Sequence, residues 1–126
     1  MRIFFLALAL LLVISVGIVF FTGFLERETD RLLSLVDTLS RTVEAENWDE
    51  AGKAMEKVKQ EWEKLSPRLA LFTDHSLLDE IMSTSASAGG YVRYREAPET
   101  MAEIEVLRSL IRHIPIREKL SLYNIL

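Results

Sequence analysis

The 126-residue sequence contains no cysteine. The chain therefore forms no disulfide, has no thiolate nucleophile and offers zinc no thiolate ligand. Positive charge is also in short supply, with 15 Lys and Arg against 19 Asp and Glu. Because Arg2 is the only charged residue before Glu26, residues 26–126 carry 14 basic and 19 acidic side chains, a net charge of −5. Such an acidic domain has no long-range attraction for nucleic acid, so nucleic-acid binding is disfavoured.

The N-terminal segment is the longest apolar run. Residues 3–25 contain no charge, and 19 of these 23 residues are apolar. As a helix they would span roughly 34 Å, against about 30 Å of bilayer hydrocarbon. A cleaved secretory signal has a shorter apolar core and a small-x-small cleavage site, for which Ser15 and Gly17 are the sole pair. The run is too long for that alternative, so we predict a retained anchor over residues 1–25 and a second domain over residues 26–126.

The orientation of this anchor follows from what flanks it. Only Arg2 and the terminal amine precede it, and both basic and acidic residues follow it. The number of cations on each side hardly distinguishes the two possible orientations, but long domains translocate largely regardless of charge. A short tail before a long domain is typical of a signal anchor. We therefore expect a single-pass protein of the cell membrane with its C-terminal domain extracytoplasmic.

Beyond the anchor, apolar residues recur at helical spacing. One seam predicts that the membrane helix continues as the first helix of the domain; it comprises Leu25, Leu32, Val36, Leu39 and Val43. Asn47 with Glu50 forms a capping box that starts a second helix. The inward residues of that helix are Ala51, Met55, Val58, Trp62 and Leu65, and its opposite face holds Glu50, Lys53, Lys57, Glu61 and Lys64. Ser66 and Pro67 are predicted to interrupt it, although residues 69–72 could continue as a kinked helix.

Two further helices complete the prediction. The third begins near Asp74; its inward residues are Leu78, Ile81, Met82, Ser85, Ala88 and Val92. Its second half, residues 83–90, is poor in helix formers, so it either frays or lets a neighbouring helix approach closely. Pro98 starts the fourth, whose inward residues include Met101, Ile104, Leu107, Ile111 and Ile114. The predicted fold is all-α: a transmembrane helix continuing into a small antiparallel bundle of two helical hairpins. Similar openings at residues 48–51 and 98–101 hint at an internal duplication.

Few residues suggest chemistry. His75 and Asp79 could share a helical face, with His113 reaching them from the fourth helix, and two imidazoles with a carboxylate resemble a metal-ligand set. The competing and favoured interpretation is that Asp74 caps the third helix while His75 hydrogen-bonds locally. We therefore predict no metal and no other cofactor, and the sequence shows no phosphate loop, nucleophile elbow or metalloprotease motif.

The aromatic residues have two interpretations. Trp48 and Trp62, fourteen residues apart, lie on one face of the second helix and could line a ligand pocket with Phe72. We favour a role as structural anchors, because a small domain needs large side chains to fill its core. An aromatic and cationic patch formed by Tyr91, Arg93, Tyr94 and Arg95 is expected to be a solvated face.

The order of several short motifs adds a resemblance. They are Asn47-Trp48, residues 71–75 (LFTDH), residues 79–81 (DEI), His113-Ile114 and residues 118–126 (EKLSLYNIL). With the uncharged N-terminal helix, the chain resembles a family of uncharacterised single-span membrane proteins of spore-forming and related anaerobic bacteria, known as a domain of unknown function. The resemblance covers nearly the whole chain, departs at residues 83–90, and implies a retained anchor without implying an activity.

Three functions remain open. The leading hypothesis is a non-catalytic interaction module at the bacterial cell envelope, anchored in the bilayer and docking another membrane or envelope protein. Its contact would be the Tyr91–Arg95 face or the apolar tail, whose residues are Leu120, Leu122, Tyr123, Ile125 and Leu126. The alternative is a bundle that senses a small molecule or metal, and the third a metal-dependent enzyme. The seams of the first two helices could also serve a homo-oligomer.

Overall fold

A computed structural model describes residues 1–71 and 73–114 of the chain. These residues form four α-helices and no strand: α1 (Arg2–Glu44), α2 (Trp48–Leu69), α3 (His75–Arg93) and α4 (Ala97–Arg112). Helix α1 packs against α2 and α4, and α3 packs against the same two helices. The predicted bundle of two antiparallel hairpins is confirmed, with α1–α2 as one hairpin and α3–α4 as the other.

The predicted seam of α1 forms one wall of the core. All five of its residues are buried, and α1 runs without interruption across the predicted boundary between residues 25 and 26. Packing begins slightly earlier than this boundary, because Thr22 is already buried and Phe21 and Phe24 pack against the core. The bundle thus covers the last turn of the apolar run.

The two hairpins turn in the same way. Glu46 and Arg95 both adopt the left-handed conformation, at φ 54° and 57°. The amide of the following residue donates five residues back, from Asn47 to the Thr42 carbonyl and from Glu96 to the Tyr91 carbonyl. This hydrogen-bond pattern is a Schellman motif with a residue other than glycine at its left-handed position. The two equivalent turns support the internal duplication suggested by the sequence. The turns are 49 residues apart, whereas the similar helix openings in the sequence are 50 residues apart.

Helix α2 begins as predicted and ends later than predicted. The Asn47 side chain accepts a hydrogen bond from the Glu50 amide at 3.4 Å. The predicted interruption at Ser66 and Pro67 is wrong, because α2 continues through Pro67 to Leu69. The burial of Leu65 and Leu69 on the same face stabilises this last turn and outweighs the hydrogen bond that proline cannot donate.

Helix α3 is continuous through residues 83–90 and ends at Arg93, so fraying there is excluded in this structure. Thr84, Ser85 and Ala88 are buried against the rest of the bundle. One predicted inward residue is wrong: Met82 is 58% exposed. Successive helical residues point about 100° apart, so with Ile81 at the centre of the buried face, Met82 falls outside that face.

Arg108 links α4 to the first helix. Its guanidinium donates to the Asp37 carboxylate at 2.9 Å and also pairs with Glu105, one turn away on α4. Burial lowers the pKa of Arg108, but its hydrogen bonds to the two carboxylates outweigh that effect and raise it. Ile104, Leu107 and Ile111 are buried as predicted, and Met101 is half-buried. Helices α1 and α4 are therefore held together by apolar contact and a partly shielded ion pair.

Candidate functional site

The N-terminal half of α1 stands apart from the bundle. Every residue from 3 to 20 is exposed, although nearly all of them are apolar. Within the described part of the chain, α1 is the one helix long and apolar enough to cross a membrane, judged by length and composition. An apolar helix left bare by its own bundle is suited to contact with lipid rather than water.

A groove on the bundle surface lies between α2 and α3. Its volume is about 710 Å³. Its walls include apolar and small residues, among them Gly52, Met55, Trp62, Met82, Ser85, Ala86, Gly89 and Gly90. A Cβ added at Gly89 would lie 3.7 Å from the Met55 Cγ, whereas one added at Gly90 would meet no described atom within 4 Å. The small residues of α3 therefore leave room beside α2 that is not filled by described parts of the chain.

The aromatic and cationic patch borders this groove. Arg93 lines one end of the groove, and Tyr94 follows it as the C-cap of α3 with 74% of its surface exposed. Tyr91 is half-buried and Arg95 is exposed. Groove and patch therefore meet at Arg93. The charged residues that line the groove are of both signs, namely Glu56, Lys59, Glu63 and Arg93.

A buried carboxyl group was missed by the sequence analysis. Glu61 was placed on the polar face of α2, but only 4% of its surface is exposed. Its Oε1 is buried and accepts no hydrogen bond from an N–H or hydroxyl group of the described residues, and its Oε2 lies 3.9 Å from Nε of Arg31 on α1. The available signal was spacing, since Glu61 lies seven residues after Ala54 and four before Leu65, both buried.

Glu61 forms an acidic pair with Glu28 of α1. The hydrogen bond with Glu28, burial and the negative charge of Glu28 raise the pKa of Glu61. The same hydrogen bond lowers the pKa of Glu28, which keeps its charge. Two carboxyl groups can form such a bond only when one of them carries a proton. Because its pKa is raised, Glu61 binds a proton more readily than an ordinary glutamate, and we call Glu28 and Glu61 the proton-binding pair.

A second depression lies beside this pair. It has a volume of about 510 Å³, and its lining includes Arg31, Lys57, Glu61, Glu63 and Lys64. Charged groups of both signs face this depression, so its lining does not select an anionic or a cationic ligand.

The three candidate metal ligands do not form a ligand group. His75 is the first residue of α3 and Asp79 lies one turn later, both exposed. His113, the C-cap of α4, has its Nδ1 2.6 Å from the Ser109 carbonyl oxygen. No group of three or more potential metal ligands occurs within residues 1–71 and 73–114. Asp74 is the N-cap of α3, but its side chain accepts from the Ser76 hydroxyl at 3.1 Å and makes no capping bond.

The predicted aromatic anchors occupy different positions. Trp62 is buried in the core and also lines the groove, whereas Trp48 is half-buried at the start of α2 and does not line it. Phe72 lies outside the described residues. So do the predicted interaction residues of the tail: Leu120, Leu122, Tyr123, Ile125 and Leu126.

The fold is that of an all-α bundle built on one long, partly bare apolar helix. The sequence model of a family described as "Domain of unknown function (DUF4363)" matches residues 19–125. The chain belongs to this family, and the match begins inside the apolar run and covers the whole bundle. Comparison with curated proteins and with solved structures finds no match.

Proposed function

We propose that the protein is a non-catalytic interaction module, anchored in the cell membrane by α1, whose bundle docks another envelope protein on its extracytoplasmic side. The bare apolar half of α1 supports the anchor. The groove between α2 and α3 carries the docking proposal, because it exposes Met82 and the small residues of α3 between charged side chains of both signs. A surface of this shape suits an amphipathic helix that inserts apolar side chains into the groove and pairs charges of both signs along its edges.

Met82 lines the groove and is exposed, so it is a suitable position from which to capture a docked partner. A photo-crosslinking residue is introduced at Met82 in the full-length protein, and native membranes are irradiated. The control position is Val106 on α4, which is 48% exposed and does not line the groove. We expect one adduct of defined mass from position 82 and none of that mass from position 106.

A filling variant tests the groove itself. Gly90→Leu places a side chain where a Cβ meets no described atom, so the helix should tolerate it while the groove narrows. The crosslink from position 82 should then disappear while the protein remains folded by circular dichroism. Equal crosslinking from both positions, or a crosslink that persists with Leu at position 90, would contradict docking in this groove.

Small-molecule sensing is the second candidate, and Trp62 is the residue that favours it. Because Trp62 lines the groove, a ligand bound there should change its fluorescence. The variant Trp48→Phe leaves Trp62 as the sole tryptophan, which assigns any change to the groove. A metabolite that changes this emission, with the change abolished by Gly90→Leu, would favour sensing over protein docking.

A further inference from the structure

The end of the bundle that faces the anchor carries an exposed leucine. Leu71 lies in the turn after α2 and is 75% exposed. Its amide donates to the Arg68 carbonyl at 3.4 Å, so it lies one turn beyond Arg68. Arg68 in turn lies over the Phe24 ring of α1, with its Cζ 5.0 Å from the ring centroid.

These contacts fix the height of Leu71 along α1. Because α2 runs antiparallel to α1, moving from Arg68 to Leu71 is equivalent to moving from Phe24 towards Phe21. The pairing of Arg31 with Glu61 follows the same register, since residue numbers facing one another across this hairpin sum to a constant. Leu71 therefore lies level with the last turn of the apolar run.

The length of bare helix places the bilayer against this end. Residues 3–20 are uncovered, and these 18 residues span about 27 Å as a helix. The hydrocarbon layer is about 30 Å thick. With the charged Arg2 kept outside it, the layer extends roughly two residues past residue 20, to the level of Phe21 and Thr22. The bundle already covers α1 at that level. An upright anchor thus leaves no aqueous gap between hydrocarbon and bundle.

We propose that the bundle rests directly on the bilayer, with Leu71 at the boundary between headgroups and hydrocarbon and Arg68 in the headgroup layer. This inference depends on the anchoring proposed above. Glu26 and Asp30 are close in sequence to Arg27 at this end, so it is no basic patch. The contact is accordingly apolar, and zwitterionic and anionic lipids should both support it.

The absence of native cysteine allows a direct test. Single variants Leu71→Cys, Val106→Cys and Val13→Cys carry a polarity-sensitive fluorophore on the full-length protein, reconstituted in vesicles of phosphatidylethanolamine with or without phosphatidylglycerol. Val13 is a bare residue within the anchor, and Val106 lies on the bundle. We expect Leu71→Cys to show blue-shifted emission, several-fold loss of quenching by aqueous iodide, and quenching by a nitroxide lipid labelled near the headgroup. Val106→Cys should remain accessible to iodide.

The three positions separate the possible failures. If Val13→Cys reports lipid while Leu71→Cys is as accessible to iodide as Val106→Cys, the bilayer contact is refuted and the anchor stands. If Val13→Cys is itself aqueous, both the anchor and the contact are refuted. A fluorophore at position 13 in the hydrocarbon, together with one at position 71 near the headgroups, supports both the anchor and the bilayer contact, in either lipid mixture.

Discussion

Replacing Glu61 with glutamine should stabilise the protein at neutral and alkaline pH. At these pH values the native pair must either keep a proton that water would remove or leave two carboxylates facing one another. Glutamine has nearly the same shape, carries no charge, and can donate to Glu28 through its amide. The substitution therefore supplies the hydrogen bond without the proton.

The magnitude follows from the burial of Glu61. A buried acceptor without a donor costs about 1–3 kcal/mol. When both carboxyl groups are ionised, no N–H or hydroxyl group of the described residues donates to Oε1 of Glu61. The exposed Arg31 at 3.9 Å offsets less than about 1 kcal/mol of this. We expect Glu61→Gln to raise the free energy of unfolding by about 1–2 kcal/mol at pH 8, and Tm by about 4–8 °C per kcal/mol for a bundle of this size.

The pH dependence has a definite sign. Because the pKa of Glu61 is raised in the folded protein, its contribution to stability is fully present below its ordinary value of 4.5 and is lost as pH rises through the raised pKa. Glu28 has a lowered pKa, so its contribution is present above that ordinary value and is lost as pH falls through the lowered one. The gain from Glu61→Gln should hence shrink as the pH falls from 8 to about 4.5.

Urea unfolding in mild detergent, followed by tryptophan emission at several pH values, measures this gain. Glu63→Gln is the matched control, because Glu63 is an exposed glutamate on the same helix, and its effect should stay within about 0.5 kcal/mol. Loss of stability in Glu61→Gln at pH 8, or a gain that does not change with pH, would refute the proton-binding pair.

Three further predictions concern the stability of the bundle, each measured by urea unfolding in the same detergent. Gly90→Ala should stabilise α3 by about 1 kcal/mol, because its Cβ meets no described atom within 4 Å; unchanged or lower stability would contradict the open position. Arg95→Gly should raise the free energy of unfolding by about 1 kcal/mol, because glycine adopts the left-handed conformation at φ 57° without strain. The control Arg93→Gly, inside α3, should lower the free energy of unfolding by a similar amount. Leu32→Ala should cost about 2–5 kcal/mol, since Leu32 is fully buried in the seam; a loss below 1 kcal/mol would argue that the seam is not a tightly packed core.

Apolar spacing predicted the helices of this protein well, because each helix has a single face to bury. The seam from Leu25 to Val43 and the cap at Asn47 depend on local rules, and the structure confirms both. The predicted interruption at Pro67 was wrong, because a proline affects only its own missing amide hydrogen and the preceding turn. Burial of Leu69 stabilises the helical turn that follows Pro67.

The candidate surfaces depend on tertiary contacts and were harder to predict. Glu61 looked like one of several solvated charges on α2, and only the packing of the helices shows that it is buried and lies beside Glu28 of α1. The groove likewise arises from α2 and α3 together, although the small residues of α3 had indicated a possible close approach. The proposed position of Leu71 at the bilayer surface could be inferred only once the register between α1 and α2 was known.

The unbroken course of α1 has a mechanical consequence. Its 43 residues form a rod about 65 Å long, and no proline or change of secondary structure provides a joint where it enters the bundle. Any tilt of the uncovered N-terminal half of α1 is therefore transmitted to the bundle. At a lean of about 20°, the far tip near Glu44 swings sideways by roughly 10 Å relative to its point of emergence. With α1 anchored as proposed, the thickness and lateral pressure of the bilayer would set this tilt and therefore the position of the bundle above the membrane.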